Sequence, residues 1–160
     1  FIDDIYQLDL EIIKKKNKKG ILIDLDNTLL PWDSFTIEER LKKWIDECKQ
    51  AGFSLCILSN NKAHRINRCA KELGIPAALG SLKPRKKAFK NGLSILGTTP
   101  EQTVIIGDQI FTDVLGGKRM GLLTILVRPI SSRELWWTKL MRKVERILLN
   151  KLVKKNMISL

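Results

Sequence analysis

The chain has 160 residues, 44% apolar and 29% charged, which is the make-up of one globular domain with its own core. No stretch reaches the ~20 consecutive apolar residues that a spanning helix needs, so a transmembrane segment is excluded. Its formal charge of +12 points to an anionic partner, with a well-solvated surface as the alternative.

Taken in chain order, the first element is a short helix around Leu8–Lys16. The basic run Lys14–Lys19 follows, and then a buried strand, Ile21–Leu25. Thr36 and Glu39 have capping-box spacing, which predicts a helix carrying Leu41, Trp44, Ile45 and Cys48 on its core face and stopping at Gly52. A second strand is expected over Phe53–Leu58, a helix over Ala63–Leu73 closed by Gly74, and a weak short strand over Ala77–Leu79. Pro84 suits the first turn of a helix that runs to Leu96 and stops at Gly97. Strand Thr103–Ile106, a helix to Met120 and strand Leu122–Val127 complete the alternation. Such a pattern implies an α/β fold, doubly wound, with a mostly parallel sheet covered by helices on both faces. The core is expected over 1–130, with a basic amphipathic helix over 131–160 attached to it. Cys48, Cys56 and Cys69 form no CxxC pair and read as small buried hydrophobes in a reducing compartment. The start lacks the basic region and apolar core of a signal peptide, and Phe1 leads us to expect an upstream piece.

In an open parallel sheet, ligands bind outside the carboxyl ends of the strands. The first strand delivers Asp24, Asp26 and Thr28 to that edge. The second delivers Ser59, Asn60 and Asn61, the third leads to Lys83, and the fourth to Gly107, Asp108 and Asp113. Carboxylates gathered at one edge repel unless a hard cation such as Mg²⁺ sits among them. A lysine and a hydroxyl beside that ion can hold the oxygens of a phosphoryl group. Aspartate can attack phosphorus, and a second carboxyl two residues along can protonate the leaving oxygen and later activate water.

In order and context, Asp24-x-Asp26-x-Thr28, Ser59, Lys83 and Gly107-Asp108-xxxx-Asp113 resemble the four motifs of the haloacid dehalogenase superfamily. The resemblance covers roughly residues 20–127. It implies Asp24 as nucleophile, Asp26 as acid/base, and Thr28, Ser59, Asn60 and Lys83 around the phosphoryl group. It also implies Mg²⁺ held by Asp24, Asp26, Asp108 and Asp113. An acid at position 26 favours the phosphatase branch. The short spans from Asp24 to Ser59 and from Ser59 to Lys83 leave no room for a cap domain, which implies a large or surface-presented substrate. More narrowly, Asp24–Asp33, Ser59–Asn61, Lys83-Pro84 and Gly107–Gly117 are similar to YqeG-type phosphatases, which are grouped with the mitochondrial phosphatidylglycerophosphate phosphatases. That implies conversion of phosphatidylglycerophosphate to phosphatidylglycerol.

Residues 133–155 hold eight Lys or Arg against two Glu, half of the net charge, interleaved with an apolar stripe and Trp136-Trp137. This segment suits peripheral contact with an anionic membrane from the cytoplasmic side; packing on the core or on a second copy is the alternative. Arg85, Lys86 and Lys87 are placed to steer an anion, or form a plain polar face. Trp32 and Phe35 either flank the substrate or anchor their turn, and His64 either touches substrate or, as the preferred reading, takes a surface helix position. The rival readings are a phosphatase for a soluble ester and a basic RNA- or ribosome-binding module; no specific nucleic acid is expected, and homo-oligomerisation stays open.

Overall fold

The computed structural model describes residues 1–131. Four parallel strands form one sheet: β1 (Gly20–Ile23), β2 (Ser54–Ile57), β3 (Thr103–Gly107) and β4 (Leu123–Leu126), in the order β2-β1-β3-β4. Ile2 pairs with Val127 beyond β4, and Ala77 makes a single bridge to Ile57, so the expected third strand shrinks to one pairing. The helices are α1 (Leu10–Lys15), α2 (Glu39–Gln50), α3 (Ala63–Leu73), α4 (Lys86–Leu96) and α5 (Leu115–Arg119).

Side chains of a strand alternate between faces, and β1 divides the core accordingly. Ile21 and Ile23 join Leu41, Trp44, Ile45 and Cys48 of α2 and Ile66, Cys69 and Leu73 of α3. Leu22 faces the other way, onto Ala88, Phe89 and Leu96 of α4. All of these are buried, each large one contributing roughly 1.5–3 kcal/mol. The three cysteines are buried and unpaired, and burial pushes the Cys48 and Cys56 thiols up to about 12.

Two expected helix starts are corrected. Thr36 does not cap α2: its N–H bonds the Ser34 hydroxyl, and the helix begins three residues later behind Glu38, which offers no side-chain cap. Pro84 lies outside α4, because the chain first closes a turn from the Arg85 N–H to the Leu82 carbonyl, and the helix starts at Lys86. The expected helix before Gly121 is built in two parts, a wide π-helical turn over Ile110–Val114 and then α5. The ends of α3 and α4 fall at Gly74 and Gly97 as the sequence indicates. The expected basic helix of 131–160 lies outside the described residues, apart from Ser131.

Topology places the site. The chain moves from β1 outward to β2 and returns to β3 on the opposite side of β1. The carboxyl ends of β1 and β3 therefore flank a switch point, where crevices form in such sheets. The Asp24 N–H bonds the Ile106 carbonyl at 2.9 Å, so the two strands stay in register up to the edge that carries the carboxylates. At the opposite edge, the Lys19 N–H bonds the Gln102 carbonyl and the Lys18 ammonium reaches the Glu101 carbonyl. This puts the Lys14–Lys19 run away from the carboxylates.

Candidate active site

After β1 the chain hooks back at once: the Asn27 N–H bonds the Leu30 carbonyl at 2.7 Å, with Asn27 in the left-handed region at φ 60°. This hook buries Leu29 and Leu30 beneath the sheet edge and leaves Asp24 and Asp26 lining a cleft of about 300 Å³. Asn27, Trp32, Ser59, Asn60, Asn61, Lys83, Gln109 and Thr112 are among its walls.

At the floor, the Lys83 ammonium lies 2.8 Å from Asp24 Oδ1 and 2.6 Å from Asp113 Oδ1. Asp24 Oδ1 also accepts the Leu25 N–H at 2.8 Å. Asp113 Oδ2 accepts the Gln109 N–H at 3.1 Å, a bond closed by the π-helical turn. Thr28 donates its hydroxyl to Asp108 Oδ1 at 3.5 Å. Oxygens of Asp24, Asp108 and Asp113 lie within 4.8 Å of one another, and all three residues are buried. Gly107 makes this possible, since a Cβ there would stand 2.2 Å from Asp113 Oδ2.

Three buried carboxylates crowd around one ammonium here, which is costly without a further counter-charge. The electrostatics register that strain. Burial lifts Asp24 to about 7, against the opposing pull of Lys83 and with a further push from Asp113. Burial also raises Asp113, again opposed by Lys83. For Lys83, burial works against the charge, but Asp113 and Asp24 outweigh it and hold the ammonium above its usual range. A cluster of three hard oxygen donors within 4.8 Å of one another fits a divalent cation.

Asp26 stands apart from this cluster. Its Oδ1 accepts Arg65 Nε at 2.9 Å, and its Oδ2 accepts Asn61 Nδ2 at 2.7 Å and the Ser59 hydroxyl at 3.3 Å. The same guanidinium donates to the Ser34 carbonyl at 2.6 Å and the Pro31 carbonyl at 2.9 Å, with the Phe35 ring over it at 4.8 Å. Arg65 thus ties Asp26 to the 31–35 turn. Asn60 clamps Lys83 through its main chain, accepting the Lys83 N–H at 2.7 Å and donating to the Lys83 carbonyl at 3.0 Å.

The sequence-stated site residues therefore assemble as two groups. Asp24, Thr28, Lys83, Asp108 and Asp113 gather at the floor, and Asp26 and Ser59 meet at the rim. Asn60 touches Lys83 backbone, and its side chain is spent on that clamp. Trp32 lines the cleft, with its indole N–H buried and unpartnered among the described residues, while Phe35 packs on Arg65 and Arg68 and against His64. Arg65 was not legible as a site residue. Its position in the first turn of α3 was the available signal, because helical side chains lean toward the helix N-terminus and hence back to the sheet edge.

Between β1 and β2 the chain inserts only this turn and α2, so nothing in the described residues roofs the cleft. Residues 21–110 match the family model for haloacid dehalogenase-like hydrolases. Over 99% of its length the chain is 41% identical to the probable phosphatase YqeG of Bacillus subtilis (strain 168), covering 92% of that protein. Over 98% of its length it is 28% identical to the Arabidopsis thaliana phosphatidylglycerophosphate phosphatase 1, chloroplastic/mitochondrial, spanning 48% of that longer protein. The cobalt-bound deoxy-D-mannose-octulosonate 8-phosphate phosphatase of Haemophilus influenzae superposes with a TM-score of 0.51 at 25% identity, over 60% of this chain and 61% of that one.

Proposed function

This chain belongs to the haloacid dehalogenase-like hydrolases and is a phosphatase, and from that premise we propose that it removes the terminal phosphate of phosphatidylglycerophosphate by way of a phosphorylated Asp24. One observation carries the substrate: a phosphatidylglycerophosphate phosphatase matches this chain almost end to end. An unroofed cleft suits a headgroup presented at a surface, and the basic stretch 133–155 suits the cytoplasmic face of an anionic membrane.

Asp24 is the nucleophile in this reading. Its Oδ1 already serves Leu25 and Lys83, so Oδ2 is the oxygen that bonds phosphorus. Asp26 gives its proton to the departing glycerol oxygen, then takes one from the water that attacks the phosphorylated Asp24 and releases inorganic phosphate. Lys83, beside the nucleophile, supplies positive charge to the phosphoryl oxygens, and the Thr28 and Ser59 hydroxyls turn from Asp108 and Asp26 to give them hydrogen bonds. Asp24, Asp108 and Asp113 would hold the metal, Mg²⁺ in our reading, which when bound neutralises charge developing on the transferred group.

The test is Mg²⁺-dependent phosphate release from phosphatidylglycerophosphate in mixed micelles, beside a panel of soluble phosphate esters, with Asp24→Asn as blank. Preference for the lipid, lost in the blank, is the expected result. Release from soluble esters alone would keep the reaction and overturn the substrate.

A further inference from the structure

A second cleft of about 360 Å³ opens beside the first, and the two share Ser59 and Asn61 as a common rim. Its walls differ in character from those of the catalytic cleft. Ile66, Leu79 and Leu82 supply an apolar side, while Arg85 and Lys87 bring two cationic side chains and no acid lines it. Both cations are exposed, and neither has an ion-pair partner among the described residues. Leu82 is 53% exposed, a large apolar side chain held in water at the outer wall. No step of the hydrolysis uses this space.

We infer that the second cleft is a binding subsite for the non-reacting part of a phospholipid substrate: Arg85 and Lys87 take its inner phosphodiester, and Leu79 and Leu82 the first carbons of its glyceride. This rests on the substrate proposed above and adds the residues that select it. The two clefts meet at Ser59 and Asn61, so a substrate whose terminal phosphate sits at Asp24 and Lys83 can pass its remainder over that rim into the second. In phosphatidylglycerophosphate, a three-carbon bridge separates the terminal phosphate from the inner one. The group met after that bridge is anionic, and the one after it is apolar. The second cleft offers a complement to each, two cationic side chains and an apolar wall that ends in the exposed Leu82. Interactions with a remote, non-reacting part of a substrate raise kcat/KM for that substrate over a small ester that lacks it.

The experiment compares three substrates: phosphatidylglycerophosphate in mixed micelles, its water-soluble deacylated counterpart (two phosphates, no acyl chains), and p-nitrophenyl phosphate (one phosphate). The charge-removing variant is Arg85→Gln with Lys87→Gln, and the apolar one is Leu82→Ser. Lys14→Gln with Lys15→Gln, at the far edge of the sheet, controls for loss of general attraction to the micelle. We expect the Arg85/Lys87 variant to lose on the order of tenfold more kcat/KM on both two-phosphate substrates than on p-nitrophenyl phosphate, as for a lost charge-assisted contact. Leu82→Ser should discriminate against the micellar lipid only, and the Lys14/Lys15 control should leave all the ratios as they were. An equal loss on all three substrates, or the same lipid-selective loss in the control, would overturn the subsite while leaving the lipid substrate standing. A wild-type enzyme that cleaves p-nitrophenyl phosphate but not the lipid overturns the substrate reading, and the subsite with it.

Discussion

Asp24 and Asp26 are two residues apart, yet they occupy different media. Asp24 has a side chain 5% exposed, shares one lysine with Asp113, and is lifted by burial to about 7. Asp26 is 19% exposed on its side chain and is held at the cleft rim by a guanidinium, an amide and a hydroxyl. The floor crowds three buried carboxylates together, while the rim satisfies its carboxylate within the protein. Under the mechanism proposed above, this difference divides the labour: a group in the crowded floor gains when a cation and an electrophilic phosphorus arrive, whereas a group anchored at the wet rim is placed to exchange protons with leaving oxygen and water.

The comparison can be broken most directly at the nucleophile. Asp24→Asn should lower kcat by roughly 10³-fold or more on every ester, because no other carboxylate at the floor has its position. Steady-state assays on aryl and alkyl phosphates measure this, and appreciable turnover in the variant would contradict the assignment.

Next in size is Lys83→Met, which strips the floor of its internal cation. Leaving buried carboxylates unpaired costs about 3–5 kcal/mol, so denaturant melts of the metal-free variant should show a loss of that order. Saturating Mg²⁺ should shrink the difference from wild type, and an undiminished loss would separate the lysine from the metal cluster.

Arg65→Met sharpens the rim half. If the guanidinium positions Asp26 to protonate the leaving group, kcat/KM for an alkyl phosphate should fall by roughly 10²-fold. The fall should be much smaller for p-nitrophenyl phosphate, whose leaving group needs little help. Equal losses on both would reduce Arg65 to a structural tie between α3 and the 31–35 turn.

Gly107→Ala acts on the floor alone, because the added Cβ must displace Asp113. Titration calorimetry should show Mg²⁺ affinity lowered by roughly 10–100-fold, the range for disturbing groups that orient a metal site.

The smallest effect is a slope. Asp24 keeps its proton to about pH 7 when folded and to 3.8 when unfolded, so between these values the folded chain binds more protons. Stability of the metal-free protein should therefore fall as pH rises through this window, and Asp113, also raised, adds in the same direction. Mg²⁺ should flatten or reverse the slope, since it binds the deprotonated acids. Thermal melts across the window, with and without Mg²⁺, check the sign.

These two regions were not equally readable from sequence. The floor was accessible because buried strands announce themselves as apolar runs. Ile21–Ile23 ends directly in Asp24 and Val104–Ile106 reaches Asp108 through Gly107, and strand polarity then dictates where the acids go. The rim depended on side-chain reach across 39 positions, from Asp26 to Arg65, and no local pattern encodes that. The same long-range tie explains the failed cap at Thr36. With the carbonyls of Pro31 and Ser34 held by Arg65, the turn stays extended to Glu38, and α2 starts where tertiary contacts release it. The weak strand at Ala77–Leu79 contracted to one pairing at the sheet's outer edge, where the Ala78 N–H bonds the Ile57 carbonyl. Gly107 was read as part of a motif, but the reason for it, clearance for Asp113, appears only in three dimensions.

The division of labour between floor and rim is tested most directly by trapping the phosphorylated enzyme. Asp26→Asn, mixed with p-nitrophenyl phosphate and Mg²⁺ and quenched in acid, should gain the mass of one phosphoryl group, and peptide mapping should place it on Asp24. The rim carboxylate is then missing when water must be activated, so the adduct accumulates. A phosphoryl group on any other residue, or none in a variant that still releases one burst of nitrophenol, would contradict the account.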